Sequence, residues 1–231
     1  MLENLRIIDL TQTLSPDTVM WPGAPPPALE TILTVDHDGF YNRLVTFVEH
    51  TSTHLDAPAH MVEGTETVDQ IGGERLVRPL VVIDIAAEVG TNADATLSLD
   101  QVHAFEVRNG RIPDRAAVFL RTGWETFNTD PVRYANAGGE LKFPGFGPEA
   151  ARFLVDERGA VGLGTDTLGI DPGFATDFVV HRQISLSTGV WHVEGLTNLA
   201  GLPALGAWVV VAPLRLADGS GIPCRVFALV P

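Results

Sequence analysis

Seven short runs rich in β-branched and aromatic residues limit what this chain can fold into. Each run has the composition of a strand and is bounded by Gly, Pro or polar turn residues. The predicted strands are Arg6–Leu10, Arg43–Glu49, Leu80–Ile85, Ala116–Arg121, Ala160–Leu163, Trp208–Leu214 and Arg225–Val230. Helical patterns do not alternate regularly with these runs, which excludes a doubly wound sheet. The sequence therefore predicts a mixed, strand-rich α/β fold.

Two helices are predicted from their start and stop signals. Ser98 and Gln101 form a capping box at the start of the first helix. Pro148 and Gly159 bracket the second helix, Glu149–Arg158, because Pro is favoured at a helix start and Gly just past its end. The capping signals thus place one helix in the middle of the chain and one in its second half.

A third predicted helix runs from Asp177 to about Ser185, with Thr176 as its cap. No unit of 20 to 50 residues repeats, and no change of composition marks a boundary between domains. We therefore expect a single domain that spans residues 1–231.

The composition excludes several classes of partner. Lys and Arg total 15 against 29 Asp and Glu, and the net charge of −14 repels phosphate backbones and anionic lipid surfaces. We expect neither a nucleic acid nor a membrane as a partner. The one cysteine, Cys224, cannot form an internal disulfide or a Cys-rich zinc site. Because there is also no uninterrupted apolar run of about 18 residues, we expect a cytoplasmic protein.

The densest chemical signal is a cluster of three histidines and one aspartate, His50, His54, His60 and Asp56. In an extended strand His50 and His54 would lie about 13 Å apart, at a rise of about 3.3 Å per residue. A helix is the poorer fit, because Asp56 would then point away from His54. A metal ion shared by the two histidines therefore requires the backbone to bend over residues 51–53.

Imidazole and carboxylate groups without thiolate suit Zn²⁺ or Mn²⁺ and do not suit an iron–sulfur cluster or copper(I). Such an ion lowers the pKa of bound water to about 7 and so supplies hydroxide. The chain contains no GxSxG, Walker A, GxGxxG or CxxC motif, so the predicted nucleophile is water. The alternative is that these histidines are ordinary surface residues or hydrogen-bonded core residues.

The histidine-rich stretch resembles the HxGTHxDxPxH signature of the cyclase-like metal hydrolases, the group that contains bacterial kynurenine formamidase and isatin hydrolase. The positions that match the signature are His50, Thr53, His54, Asp56, Pro58 and His60. Ser52 stands where the signature has Gly. If this position needs a positive φ, serine carries backbone strain that glycine avoids.

Two later segments are also similar to the family. The segment from Gly164 to Asp171 resembles its GxDTxSxD segment, and Glu194 to Leu199 resembles its EGLxNL-like stretch. The resemblance implies a swivelling β/β/α fold. It also implies a homodimer or higher homo-oligomer, in which partner residues reach each active site.

By the same resemblance, His50, His54 and Asp56 hold one divalent ion, and Asp56 bridges to a second ion held by His181 and Glu194. The metal is Zn²⁺ or Mn²⁺, with one or two ions per subunit. Glu194 favours two ions, because a further carboxylate offsets more positive charge. For His181, packing on a helix face is the alternative.

The resemblance makes His60 the catalytic acid/base, and Glu194 is counted with it as catalytic as well as metal-ligating. A histidine has an unperturbed pKa near 6.5, so His60 can take a proton from water and return it to a departing nitrogen. Its alternative role is to orient a metal ligand.

The sequence also predicts roles for several residues other than the metal ligands. His192 is expected to face solvent, while Asp166 and Asp171 are expected to cap backbone amides or to hold ligands in position. Three aromatic residues are candidates for a wall against a flat substrate, with ordinary packing as the alternative. These residues are Trp21, Phe40 and Trp191.

The resemblance implies a metal-dependent hydrolase that cleaves a carbon–nitrogen amide bond. Its substrate is a small molecule, either an aryl formamide such as N-formylkynurenine or a cyclic amide (lactam) such as isatin. Two alternatives use the same site. One is a metal-binding protein without catalysis, and the other is a cyclase or dehydratase.

Overall fold

A computed structural model describes residues 5–136 and 139–231. The strands of this part of the chain include all seven predicted runs, with their ends shifted by a few residues. Their bounds are β1 (Arg6–Asp9), β2 (Ala28–Leu33), β3 (Asn42–Thr46), β4 (His54–Asp56), β5 (Val77–Asp84), β6 (Thr96–Leu97), β7 (Ala117–Arg121), β8 (Gly145–Phe146), β9 (Gly162–Thr165), β10 (Trp191–Glu194), β11 (Ala207–Pro213) and β12 (Gly221–Val230).

Eight of the strands form one mixed sheet that closes on itself. The order is β1-β12-β11-β5-β7-β9-β10-β4, and β4 also pairs with β12, so that seven strands make a barrel with β1 added beside β12. Strands β5, β7, β9 and β10 are parallel neighbours, whereas β4, β11 and β12 run antiparallel to theirs. The mixed, strand-rich α/β prediction is confirmed.

Helices and single turns connect the strands, and several of them pack on the outside of the barrel. The α-helices are α1 (Val35–Asp38), α2 (Gly73–Leu76), α3 (Ala86–Val89), α4 (Leu99–Asn109), α5 (Pro131–Ala135) and α6 (Pro148–Arg152). Segments of 3₁₀-helix occur at Pro58–His60, Val68–Gln70, Trp124–Phe127 and Leu186–Thr188, and segments of π-helix at Phe153–Glu157 and Val180–Ser185. No helix of the described residues is long and apolar enough to cross a membrane.

The predicted helix signals are confirmed for α4, where Ser98 and Gln101 form the capping box, and for α6, which has Pro148 at its start. The third prediction was wrong in its start and its cap. The helical turn begins only at Val180, and the carboxylate of Asp171 accepts the backbone N–H groups of Val180 and His181. Thr176 is not adjacent to the start of this turn, and the first amides are accepted instead by Asp171 in the preceding loop.

The two faces of the barrel strands belong to two separate cores, as β5 illustrates. Leu80 and Val82 pack in the barrel interior, while Val81 and Ile83 pack under the outer helices. This division follows from the strand geometry, because successive side chains point to opposite faces of a sheet. The same alternation determines which side chains of β4 and β10 leave the barrel interior.

Candidate metal centre

Strands β4 and β10 carry the polar residues of the site on one shared face. Their antiparallel register pairs His192 with Asp56 and Glu194 with His54. The side chains between them, such as Val193, point into the barrel core and are fully buried. Because alternate residues share a face, the pairing collects two imidazoles and two carboxylates on the outer side of the sheet.

His50 joins this cluster through a bend over residues 51–53, as predicted. The rings of His50 and His54 have their centroids 5.2 Å apart, far closer than an extended strand allows. Ser52 lies in the bend with φ = 59°, so the position that is glycine in the family signature does adopt a left-handed backbone. Gly221 leaves room for the His50 ring, because a Cβ there would lie 2.3 Å from His50 Cε1.

The carboxylate of Asp56 lies between two groups of histidines. Its Oδ1 is 2.7 Å from His50 Nδ1 and 3.1 Å from His54 Nε2. Its Oδ2 is 3.6 Å from His181 Nε2. Glu194 completes the arrangement, with Oε1 at 3.1 Å from His181 Nε2 and Oε2 at 3.6 Å from His54 Nε2.

Each of these three histidines has its outer ring nitrogen held by a second group. His54 Nδ1 donates to the carbonyl of Ser52 at 3.1 Å, and His181 Nδ1 donates to the carboxylate of Asp171 at 2.6 Å. This is the arrangement found around metal-binding histidines, where a hydrogen bond to the outer nitrogen fixes the tautomer and aims the other nitrogen. The expectation that Asp171 holds a ligand in position agrees with this contact.

For His50 the tautomer follows from the groups behind it. Ser220 Oγ donates to the carboxylate of Glu49 at 2.5 Å, so it accepts from His50 Nε2 at 3.1 Å. The bare Nδ1 of a neutral His50 therefore faces Asp56 Oδ1. Nitrogen lone pairs and carboxylate oxygens that converge in a buried site require a positive charge between them, and a divalent cation fits this donor set.

The pKa values show the same demand for positive charge. Burial alone would lower the pKa of His54, but the carboxylates of Asp56 and Glu194 raise it to about 9. Burial also disfavours a charged His181, yet Asp171, Asp56 and Glu194 hold its pKa well above the usual value. The carboxylates therefore favour positive charge at this cluster, which either extra protons or a cation would supply.

A cavity of about 330 Å³ opens onto one side of the cluster. His60 lines it, with its ring centroid 3.8 Å from that of His50, and burial lowers the pKa of His60 below its usual value. Trp21 also lines the cavity and packs against Phe178 at a centroid distance of 6.2 Å. Sequence reasoning missed Phe178, which lies in the loop before the π-helical turn and carries no motif of its own.

Three sequence expectations do not match these positions. Phe40 lies outside the cavity and is 57% exposed, and Trp191 is fully buried in the barrel core, where its indole packs on Gly162. His192 was expected to face solvent, and this was wrong, since its exposure is 0%. The alternation Trp191-His192-Val193-Glu194 is the pattern of a half-buried strand and would have placed His192 beside Glu194.

Residues 8–172 match the Cyclase family. Isatin hydrolase from Roseibium aggregatum is 31% identical over 248 residues, covering 98% of this chain and 92% of that protein. Kynurenine formamidase from Salinibacter ruber is 25% identical over 228 residues, covering 96% of each. The solved structure of isatin hydrolase A from Ralstonia solanacearum is similar with a TM-score of 0.93 and 36% identity, covering 99% of this chain and 93% of that one.

These similarities extend far beyond the histidine-rich stretch that first indicated them. The superposition covers the whole barrel and its outer helices, so the fold expected from the resemblance is confirmed. The sequence matches include both the segment from His50 to His60 and the late segment with Glu194. The chain therefore belongs to the Cyclase family.

Proposed function

We propose that this amide-cleaving hydrolase acts on an aromatic small molecule, either a cyclic amide such as isatin or an aryl formamide such as N-formylkynurenine. Isatin hydrolase and kynurenine formamidase are both relatives over nearly the full chain. Both reactions break a carbon–nitrogen amide bond with water. The convergence of histidine nitrogens and two carboxylates at the wall of an apolar cavity is the observation that carries the proposal.

The cavity suits a flat aromatic amide. Its volume of about 330 Å³ is in the range of small-molecule sites. Apolar side chains, including Trp21, Leu168 and Phe178, form one part of the wall, and the histidine cluster forms the other. A substrate ring on the apolar side would present its carbonyl to the cluster.

The residues fit a divalent metal, and we propose Zn²⁺ or Mn²⁺. His50, His54 and Asp56 would hold one ion, while Asp56, His181 and Glu194 would hold a second. A bound divalent cation supplies Lewis acidity, which activates water and polarises the amide carbonyl. The support for two positions is that the two oxygens of Asp56 face different histidines.

His60 is proposed as the group that moves the proton. It borders the cavity, and its lowered pKa keeps the imidazole neutral at pH 7, as a proton acceptor requires. Protonated His60 would then return the proton to the departing nitrogen. Glu194 would contribute to catalysis by positioning the other groups of the metal-binding cluster.

The decisive experiment compares the wild type with His60→Ala, using zinc-loaded protein and both isatin and N-formylkynurenine. We expect the wild type to hydrolyse at least one of them. The variant should retain its zinc and lose turnover by about 10²–10⁴-fold, the usual share of an acid/base group. A fully metal-loaded wild type without activity on any amide or lactam would contradict the proposal.

The comparisons do not favour a metal-binding protein without catalysis, because the full-length relatives named above are enzymes. A cyclase or dehydratase would use the same site and would be recognised by product analysis in the same assay. A structural role for the metal predicts that His60→Ala loses folding and metal together, which zinc analysis and circular dichroism would show.

We also propose a homodimer. Strands β2 and β3 form a separate two-stranded sheet that projects large apolar side chains into solvent. The exposed residues of this arm, which we name the β2–β3 arm, are Ile32, Val35, Phe40, Tyr41, Leu44 and Val45. Apolar patches of this kind mark contact surfaces.

A cytoplasmic location stays a prediction. Its support is the use of a single cysteine, Cys224, which is buried and unpaired by disulfide.

A further inference from the structure

His192 is a fully buried histidine whose proton position can be assigned from its neighbours. Ser185 Oγ donates to the carbonyl of Val180 at 2.6 Å. The serine has one hydroxyl proton, so toward His192 Nε2, at 2.5 Å, it acts as the acceptor. His192 therefore carries its proton on Nε2, and Nδ1 presents a bare lone pair.

That lone pair faces another unsatisfied acceptor. His192 Nδ1 is 3.9 Å from Asp56 Oδ2, and within residues 5–136 and 139–231 neither atom has a hydrogen-bond partner. Two buried acceptors that face each other without a donor are costly, and most buried polar atoms in folded proteins are paired. A group that accepts both lone pairs is needed between them.

Two further ligand atoms point at the same place. His181 Nε2 is 3.6 Å from Asp56 Oδ2, and Glu194 Oε1 is 3.1 Å from His181 Nε2. One ligand atom from each of Asp56, His181, His192 and Glu194 lies within 4.8 Å of all the others. All four residues are buried. The rings of His181 and His192 are nearly perpendicular, so the two imidazoles do not stack face to face.

We propose that His192 is the fourth protein ligand of the second metal position, together with Asp56, His181 and Glu194. This inference rests on the proposed metal-dependent function and adds a ligand to it. Ser185 is then a positioning residue, because its hydroxyl fixes the tautomer that leaves Nδ1 free. A hydrogen bond to one ring nitrogen also orients His50, His54 and His181.

Four nitrogen and oxygen ligands from the protein give the second position the closed set of a structural zinc site. His192 lies behind the cluster and does not line the cavity, whereas its fellow ligands His181 and Glu194 do. His192 would therefore anchor the second ion from the side away from the cavity.

The test uses zinc content after dialysis, measured by elemental analysis on the full chain. His192→Leu keeps the volume close to that of histidine but cannot ligate. We expect two zinc ions per wild-type chain and one per His192→Leu chain. His50→Leu is the matched control and should lose the other ion. Ser185→Ala should retain both ions at saturation but bind the second about 10–100-fold more weakly.

Thermal unfolding with and without chelator separates a ligand from a merely structural histidine. With zinc, His192→Leu should unfold at a lower temperature than the wild type. With chelator the difference should vanish or reverse, because the buried pair of facing acceptors is gone. A His192 that only hydrogen-bonds Ser185 would destabilise the variant equally in both conditions, and that result would overturn the inference.

Zinc binding by the variant tests the fourth ligand, and amide hydrolysis by the wild type tests the proposed function separately. If His192→Leu binds as many zinc ions as the wild type with the same affinity, the fourth ligand is refuted, whatever the activity. If the variant loses one ion while the metal-loaded wild type hydrolyses no amide, the fourth ligand is supported and the proposed function fails.

Discussion

The direction of hydrogen bonds at single residues gives the clearest information about this site. His54, His181 and His50 each have one nitrogen tied to Ser52, Asp171 or Ser220. The other ring nitrogen of each histidine is left to face the carboxylates of Asp56 and Glu194. A protein without a cation could satisfy them only with extra protons, which agrees with the raised pKa values of His54 and His181.

Ser52 illustrates a residue-scale cost. Its φ of 59° is left-handed, and its buried hydroxyl lacks a hydrogen-bond partner among the described residues. We expect Ser52→Gly to raise the free energy of unfolding by about 1 kcal/mol, since glycine removes the left-handed strain. Chemical denaturation measures this, and Ser52→Ala, which keeps the strain, should gain less. If Ser52→Gly were less stable than the wild type, the prediction that Ser52 is strained would be wrong.

Gly221 gives a second test at this scale, because it lies against the His50 ring. A Cβ at position 221 would lie 2.3 Å from His50 Cε1, so Gly221→Ala must displace the imidazole. We expect the variant to fold and to bind the ion at His50, His54 and Asp56 more weakly, by about tenfold or more. Zinc titration in competition with a chelator measures this. Unchanged affinity would show that His50 is not a ligand.

At the scale of elements, the site is made by the pairing of two very short strands. Strand β4 has three residues and β10 has four, yet their register places His54, Asp56, His192 and Glu194 on one face. The π-helical turn from Val180 adds His181, because Asp171 caps its first amides and also accepts from the His181 ring.

The outer helices are tied together by an ion pair that makes stability depend on pH. Glu106 on α4 accepts two hydrogen bonds from Arg158, at 2.7 and 2.9 Å, and a third from the Ile112 amide. These bonds, the arginine first, lower the pKa of Glu106 to about 2. The folded pKa is depressed, so the stabilisation is complete above about pH 4.5 and is lost as pH falls toward 2.

We therefore expect Glu106→Gln to lower the free energy of unfolding by about 1–3 kcal/mol at pH 7. The difference from the wild type should shrink below pH 4.5 and disappear near pH 2, where the wild-type carboxylate is protonated. Denaturant unfolding across this pH range gives the measurement. A difference that does not change with pH would mean that packing, and not charge, is responsible.

At the scale of the whole molecule, the β2–β3 arm is the exposed apolar feature that a second copy would cover. Leu44 lies in this arm and is 54% exposed. We expect Leu44→Asp to convert the proposed dimer into a monomer, because a buried unpaired charge is costly at an interface. Light scattering with size-exclusion chromatography measures the mass.

Val107→Asp is the matched control for this prediction. Val107 is also an exposed apolar residue, at 87%, but it lies on α4 and not on the arm. It should leave the mass unchanged. A wild type that is monomeric at all concentrations would refute the dimer, and a dimer that tolerates Leu44→Asp would place its interface elsewhere.

The sequence by itself determined the seven main strands, the family and the ligand-rich stretch from His50 to His60. Each of these depends on neighbours in the chain, through β-branched composition, turn residues or close spacing. The bend over residues 51–53 followed from the reach of two imidazoles to one ion.

Only the tertiary structure decided that His192 is buried beside Asp56 and that Trp191 packs in the barrel. The alternation in β10 puts His192 on the same face as Glu194, but its partner β4 lies more than a hundred residues earlier in the chain, so the local pattern does not show which residues that face meets. Which side chains meet is set by the hydrogen-bond register between such distant strands, because a slip of one residue turns every side chain to the opposite face.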